Sequence, residues 1–203
     1  MAYRNVTRED AEEAFYHVYN RGVNGMEIFR DEEDYRFFER LLTRHLSREI
    51  ERDRYGREYM NFSGNMELHA YCLMPNHYHL LLFQKEKKML EKFMSTVVTP
   101  YTGYFNRKYK RRGPLYESPY KAVMVDGGGG ALHVSRYVHL NPIGYRVWEH
   151  SSYGDYLYGA REWIETGYVL GEFKSRQDYL EYVEDYEGVK RENDRYKRSL
   201  GDI

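Results

Sequence analysis

Four short stretches of the chain have the pattern of β-strands. Aromatic and β-branched side chains dominate them, and turn-forming residues follow two of them, at positions 20–22 and 74–76. The third stretch is apolar at consecutive positions, so we expect it in the centre of a sheet with both faces covered. The predicted strands span residues 14–19, 66–73, 77–84 and 120–125.

Apolar residues at helical spacing predict two longer helices between these strands. Asp31 is a candidate N-cap for a first helix that runs to about Ile50. The second helix is predicted from about Lys87 to Tyr109. Pro100 lies inside it and is expected to kink or break it.

A glycine-rich segment and a third, short helix follow the fourth strand. Residues 126–130 are almost pure glycine, which predicts a flexible loop. The helix is expected to begin at about Ala131. It must end near Asn141, because a residue before proline disfavours the helical conformation and Pro142 comes next.

The predicted order is strand, helix, strand, strand, helix, strand, helix. This is the split β-α-β order of ferredoxin-like and RRM-like folds. We therefore predict an α+β fold in which helices pack on an antiparallel sheet. Residues 1–150 form the predicted main domain, and residues 151–203 form a C-terminal tail that packs on it or regulates it.

Composition and charge narrow the classes of function. The chain has 203 residues with 41% hydrophobic residues, which is enough for one sizeable folded domain. Its net charge of −1 argues against a dedicated coat for duplex DNA but leaves room for a local basic patch. A single cysteine, Cys72, excludes an internal disulfide and fits the cytoplasm. We find no signal peptide and no apolar run of membrane-spanning length.

His77 and His79 are the first candidate site residues. Alternate residues of a strand share one face, so the two imidazoles point the same way and Tyr78 points to the other face. Two neighbouring imidazoles are a natural pair of metal ligands. The pattern alone is equally typical of two ordinary polar residues in a strand.

Tyr137 and Asn141 form a second candidate pair. Residues four apart on a helix share a face, so an amide oxygen of Asn141 on a metal would place Tyr137 beside it. His139 is turned to the far side. A core tyrosine and a helix-terminal asparagine before proline would give the same pattern.

A basic run follows the second helix. Cations interleaved with an aromatic residue suit single-stranded nucleic acid, with phosphates on the cations and bases on the ring. A solvated charged surface explains the run equally well. Its members are Arg107, Lys108, Tyr109, Lys110, Arg111 and Arg112.

Together these features resemble the REP-associated tyrosine transposases, a branch of the single-tyrosine HUH transposases in the insertion-sequence-200-like superfamily. The matching segments fall in order and cover roughly residues 14–175, although Tyr78 stands where an aliphatic residue is more usual. The segments are YHVYNRGVNGMEIF at 16–29, MPNHYHLLL at 74–82, RYVHLNPI at 136–143 and WEHSSYGDY at 148–156.

The resemblance implies a role for each candidate residue. His77, His79 and Asn141 would hold a divalent metal ion, Mg²⁺ or Mn²⁺, and Tyr137 would be the nucleophile. Residues 1–150 would be the catalytic domain, with the glycine-rich loop as a hinge for the tyrosine. Contacts to DNA are expected from Arg21, Arg107, Lys108, Lys110, Arg111, Arg112 and Arg136.

The implied function is cleavage and strand transfer of single-stranded DNA at hairpin-forming repetitive palindromic sequences, through a covalent 5′-phosphotyrosine. The resemblance favours a cytoplasmic monomer, with a dimer as the alternative, and no membrane partner. A non-catalytic DNA-binding regulator derived from a transposase is the main alternative. A plasmid or replication nickase would require a larger chain, and an RRM-like RNA-binding module would require exposed aromatic residues on the central strands.

Overall fold

A four-stranded antiparallel sheet forms the centre of the molecule, as the computed structural model of residues 10–199 shows. The strand order is β2-β3-β1-β4, which is the ferredoxin-like arrangement and confirms the predicted α+β fold. The third strand is central and pairs with the second, as predicted. The strands are β1 (Ala14–Arg21), β2 (Met66–Met74), β3 (His77–Gln84) and β4 (Lys121–Val125).

Six α-helices accompany the sheet in the described part of the chain. They are α1 (Glu32–Leu46), α2 (Met89–Lys108), α3 (Gly127–His139), α4 (Tyr153–Tyr158), α5 (Gly167–Leu170) and α6 (Arg176–Ser199). Helices α1 and α2 cover one face of the sheet, and α3 covers the other. None of the described helices combines the length and the apolar character needed to cross a membrane.

The turn after β1 requires glycine. A Cβ atom at Gly22 would lie 2.1 Å from the carbonyl oxygen of Met26, which is far inside van der Waals contact. The chain therefore reverses tightly here and leads to α1, where the Asp31 side chain caps the helix by accepting the backbone N–H of Asp34. The predicted N-cap is confirmed.

Helix α1 is shorter than predicted. It ends at Leu46 instead of near Ile50, because Ser47 adopts an extended backbone and Asn61 donates its side-chain amide to the Ser47 carbonyl at 2.8 Å. The carbonyl of His45 accepts the backbone N–H of Phe62 at 2.8 Å. Long-range hydrogen bonds thus replace the next helical turn.

Helix α2 runs through Pro100 without a break. The expectation of a break is wrong, because Val97, Tyr101 and Phe105 are fully buried on one side of this helix and hold both halves against the core. Their packing outweighs the helical hydrogen bond that a proline removes.

The glycine-rich segment is helical, which corrects the predicted flexible loop. Gly127–Gly130 form the first turn of α3. The helix continues through Ala131 and Val138, which are fully buried against β2 and β3. This packing stabilises a turn that glycine alone would disfavour. The end of α3 at His139, just before Pro142, agrees with the prediction.

The segment after α3 packs closely on the rest of the chain. The backbone N–H of Ser152 donates to the Tyr71 carbonyl at 3.0 Å, and the Ser152 hydroxyl accepts the N–H of Tyr71 at 2.9 Å. A second cluster of buried side chains joins α4, α5 and α6 to the end of α3. The division into residues 1–150 and 151–203 remains a prediction, and residues 1–9 and 200–203 lie outside the described chain.

Candidate active site

His77 and His79 lie on the face of the sheet that α3 covers. Their rings are 5.1 Å apart at the start of β3. Tyr78, between them, points to the opposite face, where it is fully buried in the core under α1 and α2. The strand alternation expected from the sequence is present, and it directs both imidazoles toward α3.

The side chain of Asn141 reaches one of these imidazoles. Helix α3 ends at His139, and the backbone N–H of Asn141 still bonds the carbonyl of Val138 at 3.2 Å. This last turn holds Asn141 Oδ1 at 3.1 Å from His77 Nε2. Two groups that are 64 positions apart in sequence thus meet at one point.

Amide side chains lie within hydrogen-bonding distance of both nitrogens of His77. Asn76 donates its amide group to the Gly25 carbonyl at 3.3 Å, which turns its Oδ1 toward His77 Nδ1 at 2.7 Å. If Nδ1 donates to this oxygen, Nε2 keeps the lone pair that a metal ligand needs. Burial lowers the pKa of His77, which disfavours a second proton on the ring.

The Oδ1 atom of Asn141 and the Nε2 atom of His77 lie 3.1 Å apart. The amide Nδ2 of Asn141 is buried and has no hydrogen-bond partner. Neighbouring ligands on one small divalent cation lie about 3 Å apart, which is the separation found here.

The donor set fits Mg²⁺ or Mn²⁺. Within residues 10–199, no group of three or more His, Cys, Asp or Glu side chains is arranged to hold a metal ion. A cation bound by His77 and His79 thus needs a different third donor, and the amide oxygen of Asn141 is placed to be that donor. Oxygen donors suit these hard cations, and the neutral ligands leave the full charge of the ion for an anionic substrate.

A third histidine, which the sequence analysis did not single out, supports His79. His17 on β1 has its Nε2 atom 2.9 Å from His79 Nδ1. Burial lowers the pKa of His17 to about 4, so its ring is neutral. If His79 Nδ1 donates to His17 Nε2, the Nε2 atom of His79 keeps the lone pair that a metal ligand needs.

Tyr137 lies edge-on against two of these histidines. Its ring centroid is 5.7 Å from that of His79 and 5.7 Å from that of His17. Tyr116 and Tyr120, the other tyrosines near the basic run, are instead buried in the core under α1 and α2. The structure therefore brings Tyr137, and neither of the other two, to the histidine pair.

Arg21 is a basic residue beside the histidines. It lies directly opposite His77 in the register of β1 and β3. Its Nε atom is buried and has no hydrogen-bond partner. After burial and the contact with Asn141, the charge of Arg21 is a further influence on the pKa of His77, which it lowers. Arg21 thus supplies a positive charge at the edge of the site.

The other predicted DNA contacts divide into two groups. Arg107, Lys110 and Arg112 are exposed. Lys108 instead bonds Asp31 at 2.7 Å and Asp34 at 2.9 Å, which ties α2 to the start of α1. The remaining two, Arg111 and Arg136, also have partners within the chain.

Those partners place Arg111 and Arg136 in structural roles. Arg111 donates to the Asn106 side chain at 2.9 Å and to the Pro114 carbonyl at 3.1 Å. The guanidinium carbon of Arg136 lies 4.1 Å from the ring centroid of Tyr182 and 4.2 Å from that of Tyr186. Both tyrosines belong to α6, so Arg136 fastens this helix to α3.

Comparison with known proteins agrees with this geometry. Residues 46–141 match the family described as "Transposase IS200 like". A solved REP-associated tyrosine transposase bound to a REP hairpin is similar in fold, with a TM-score of 0.52 and 12% sequence identity. The similarity covers 78% of this chain and 90% of the other. Comparison with curated protein sequences gives no match.

The segment that matches the family contains both candidate histidines, Tyr137 and Asn141. The family resemblance drawn from the sequence motifs is therefore confirmed. Residues 46–141 of this chain, the segment that carries the candidate site residues, are similar to the IS200-like transposases.

Proposed function

We propose that this chain cleaves and rejoins single-stranded DNA at hairpin-forming palindromic repeats through a covalent 5′-phosphotyrosine on Tyr137. His77, His79 and Asn141 hold the required Mg²⁺ or Mn²⁺. The protein acts in the cytoplasm as a monomer. The observation that carries this proposal is the meeting of His77 Nε2 and Asn141 Oδ1 at 3.1 Å, next to a histidine that contacts a tyrosine of the same chain.

The chemistry requires a nucleophile and a means to neutralise phosphate charge. The tyrosine oxygen of Tyr137 attacks the phosphorus after losing its proton to water. The bond from phosphorus to the 3′-oxygen breaks, and that oxygen takes a proton from water to leave a 3′-hydroxyl. A divalent ion held by His77, His79 and Asn141 would withdraw charge from a non-bridging oxygen and so stabilise the transition state.

The phosphotyrosine ester preserves the reactive bond for a second step. A 3′-hydroxyl of another strand attacks the same phosphorus, and Tyr137 leaves and regains its proton. The number of phosphodiester bonds is conserved, so transfer needs no external energy source. His77, His79 and Asn141 stay neutral throughout, and the site keeps its positive character in both steps.

Basic side chains support an anionic substrate. Arg21, opposite His77 in the register of β1 and β3, would bind a phosphate next to the scissile one. Exposed Arg107, Lys110 and Arg112 would bind phosphates further along the strand. The structural relative bound to a REP hairpin supports a hairpin as the recognised shape.

The position of Tyr137 also supports action by a single copy of the chain. Its ring contacts His79 of the same chain, so a complete set of candidate groups is present in one molecule. An RRM-like RNA-binding function has no support, because α1 and α2 cover one face of the sheet and α3 the other. Tyr78 on the central strand β3 is fully buried, so its ring cannot stack on an RNA base.

The Tyr137→Phe variant tests the proposal. The protein is incubated with Mn²⁺ and a labelled hairpin oligonucleotide with single-stranded flanks, and label on the protein is measured on a denaturing gel. Wild-type protein is expected to form a labelled adduct, and Tyr137→Phe none, with hairpin binding retained. Tyr116→Phe is the matched control, because its buried hydroxyl has no hydrogen-bond partner and lies in the opposite core.

Two results would overturn the proposal. An adduct that persists in Tyr137→Phe would assign the chemistry to another residue. A wild-type protein that binds the hairpins but forms no adduct on any of them would favour the non-catalytic DNA-binding regulator.

A further inference from the structure

The C-terminal helix α6 brings a buried lysine to the tyrosine of the proposed site. Lys190 is only 5% exposed, and its ammonium nitrogen lies 4.9 Å from the centroid of the Tyr137 ring. It lies outside residues 46–141, the segment that matches the transposase family. Its position is therefore a property of the rest of this chain.

The sequence of α6 places Lys190 on the inward side of the helix. Tyr179 and Val183 are fully buried, and Tyr186 packs with them. Lys190 follows Tyr186 after four residues, so it continues the same stripe in a position where an apolar residue would be expected. Burying the end of a lysine costs free energy unless charge or hydrogen bonds compensate.

Helix α6 is anchored on α3 next to the tyrosine. The guanidinium group of Arg136, one residue before Tyr137, stacks on the rings of Tyr182 and Tyr186 in α6. This contact holds α6 on α3 where the Lys190 ammonium group lies over the Tyr137 ring.

A phosphate attacked by the Tyr137 oxygen must lie at the hydroxyl end of that ring, and the Lys190 ammonium group lies over the face of the same ring. We infer that Lys190 binds a non-bridging oxygen of the scissile phosphate, so that helix α6 completes the active site with a second positive charge. This inference rests on the proposed function. It assigns the C-terminal segment a direct part in catalysis as well as in packing.

The test compares Lys190→Met, which keeps the side-chain volume without the charge, with Lys190→Arg, which keeps the charge. Single-turnover cleavage of the hairpin substrate at saturating protein is expected to slow about 100-fold in Lys190→Met, the loss typical of one missing oxyanion donor. Lys190→Arg should recover part of this rate. Arg191→Met is the matched control, because this neighbour is half exposed and pairs with Glu187 on the surface.

A binding measurement separates phosphate contact from packing. In the Tyr137→Phe background, affinity is measured against salt for an oligonucleotide that spans the cleavage site and for one that ends before it. Removing one phosphate contact lowers the slope of log K against log salt by about 0.7 for a single strand. Lys190→Met should lower the slope for the spanning oligonucleotide only, whereas a packing defect would affect both equally.

The outcomes separate the inference from the proposed function. If wild-type protein forms no adduct, the proposed function fails and the role of Lys190 fails with it. If the wild type cleaves and folded Lys190→Met cleaves at the same rate, only the role of Lys190 is overturned. If Lys190→Met does not fold, Lys190→Arg decides: near-wild-type cleavage with an unchanged salt slope supports the inference, and folded but inactive protein overturns it.

Discussion

The two faces of the sheet differ in the kind of side chain that they bury. Strand β3 presents Tyr78, Leu80 and Leu82 to the face under α1 and α2, where all three are fully buried among aromatic and aliphatic neighbours. The same strand presents His77 and His79 to the face under α3. One strand thus contributes to a dry core and to a polar site in alternate positions.

This difference shows how the site keeps its imidazoles neutral. The apolar face holds β3 in place by packing, so the opposite face does not depend on its polar groups for cohesion. Its histidines are buried with one another, and burial lowers the pKa of His17 to about 4. Neutral imidazole is the form that binds a metal ion, so the burial that disfavours charge on these rings favours the proposed site.

The largest expected effect of a single change on the polar face is on activity. Replacing His77 by Ala removes the ring that meets Asn141, and we expect cleavage to fall on the order of 10³-fold. The free energy of unfolding should fall by only about 1 kcal/mol, because two side-chain contacts are lost. Adduct formation with Mn²⁺ measures the activity, and urea denaturation measures the free energy of unfolding. A His77→Ala protein that unfolds but, where folded, still cleaves would contradict the contrast between the two faces of the sheet.

The largest expected effect on the apolar face is on stability. Replacing fully buried Leu80 by Ala should lower the free energy of unfolding by about 2–5 kcal/mol, from lost transfer energy and the remaining cavity. Cleavage per folded molecule should change little at a temperature where the variant is folded. Denaturation curves combined with active-site titration by adduct yield check this, and a large loss of rate in fully folded Leu80→Ala would show that the faces are coupled.

A smaller effect is expected from His17, which contacts His79 and the edge of the Tyr137 ring and is not itself a proposed metal ligand. The His17→Phe variant removes the acceptor for His79 Nδ1 and should weaken Mn²⁺ binding about 10-fold to 100-fold, as is typical for a lost support of a metal ligand. His17→Gln keeps an acceptor oxygen near the position of Nε2 and is the control. Titration calorimetry with Mn²⁺ measures both, and equal affinities in the wild type and His17→Phe would remove His17 from the site.

Short-range physics made much of the fold and some of the site predictable. Alternation placed His77 and His79 on one face, because a strand repeats every two residues. Pro142 determined where α3 ends, although the helix stops at His139, so Asn141 lies outside it and its helical spacing from Tyr137 stays a prediction. The cap at Asp31 and the central position of β3 followed from equally local patterns.

The remaining features depend on contacts between distant parts of the chain. His17 meets His79 across 62 positions only because β1 pairs with β3, and Lys190 meets Tyr137 only because α6 docks on α3. The glycines at 127–130 lack any side chain that would favour a helix, so local sequence predicted a loop, and packing of the rest of α3 decided otherwise. The sequence alone thus determined which residues share a strand face or a helix face, since those relations repeat every two to four residues. Tertiary structure decided which faces meet, because only the burial of whole elements against each other is strong enough to override local preference.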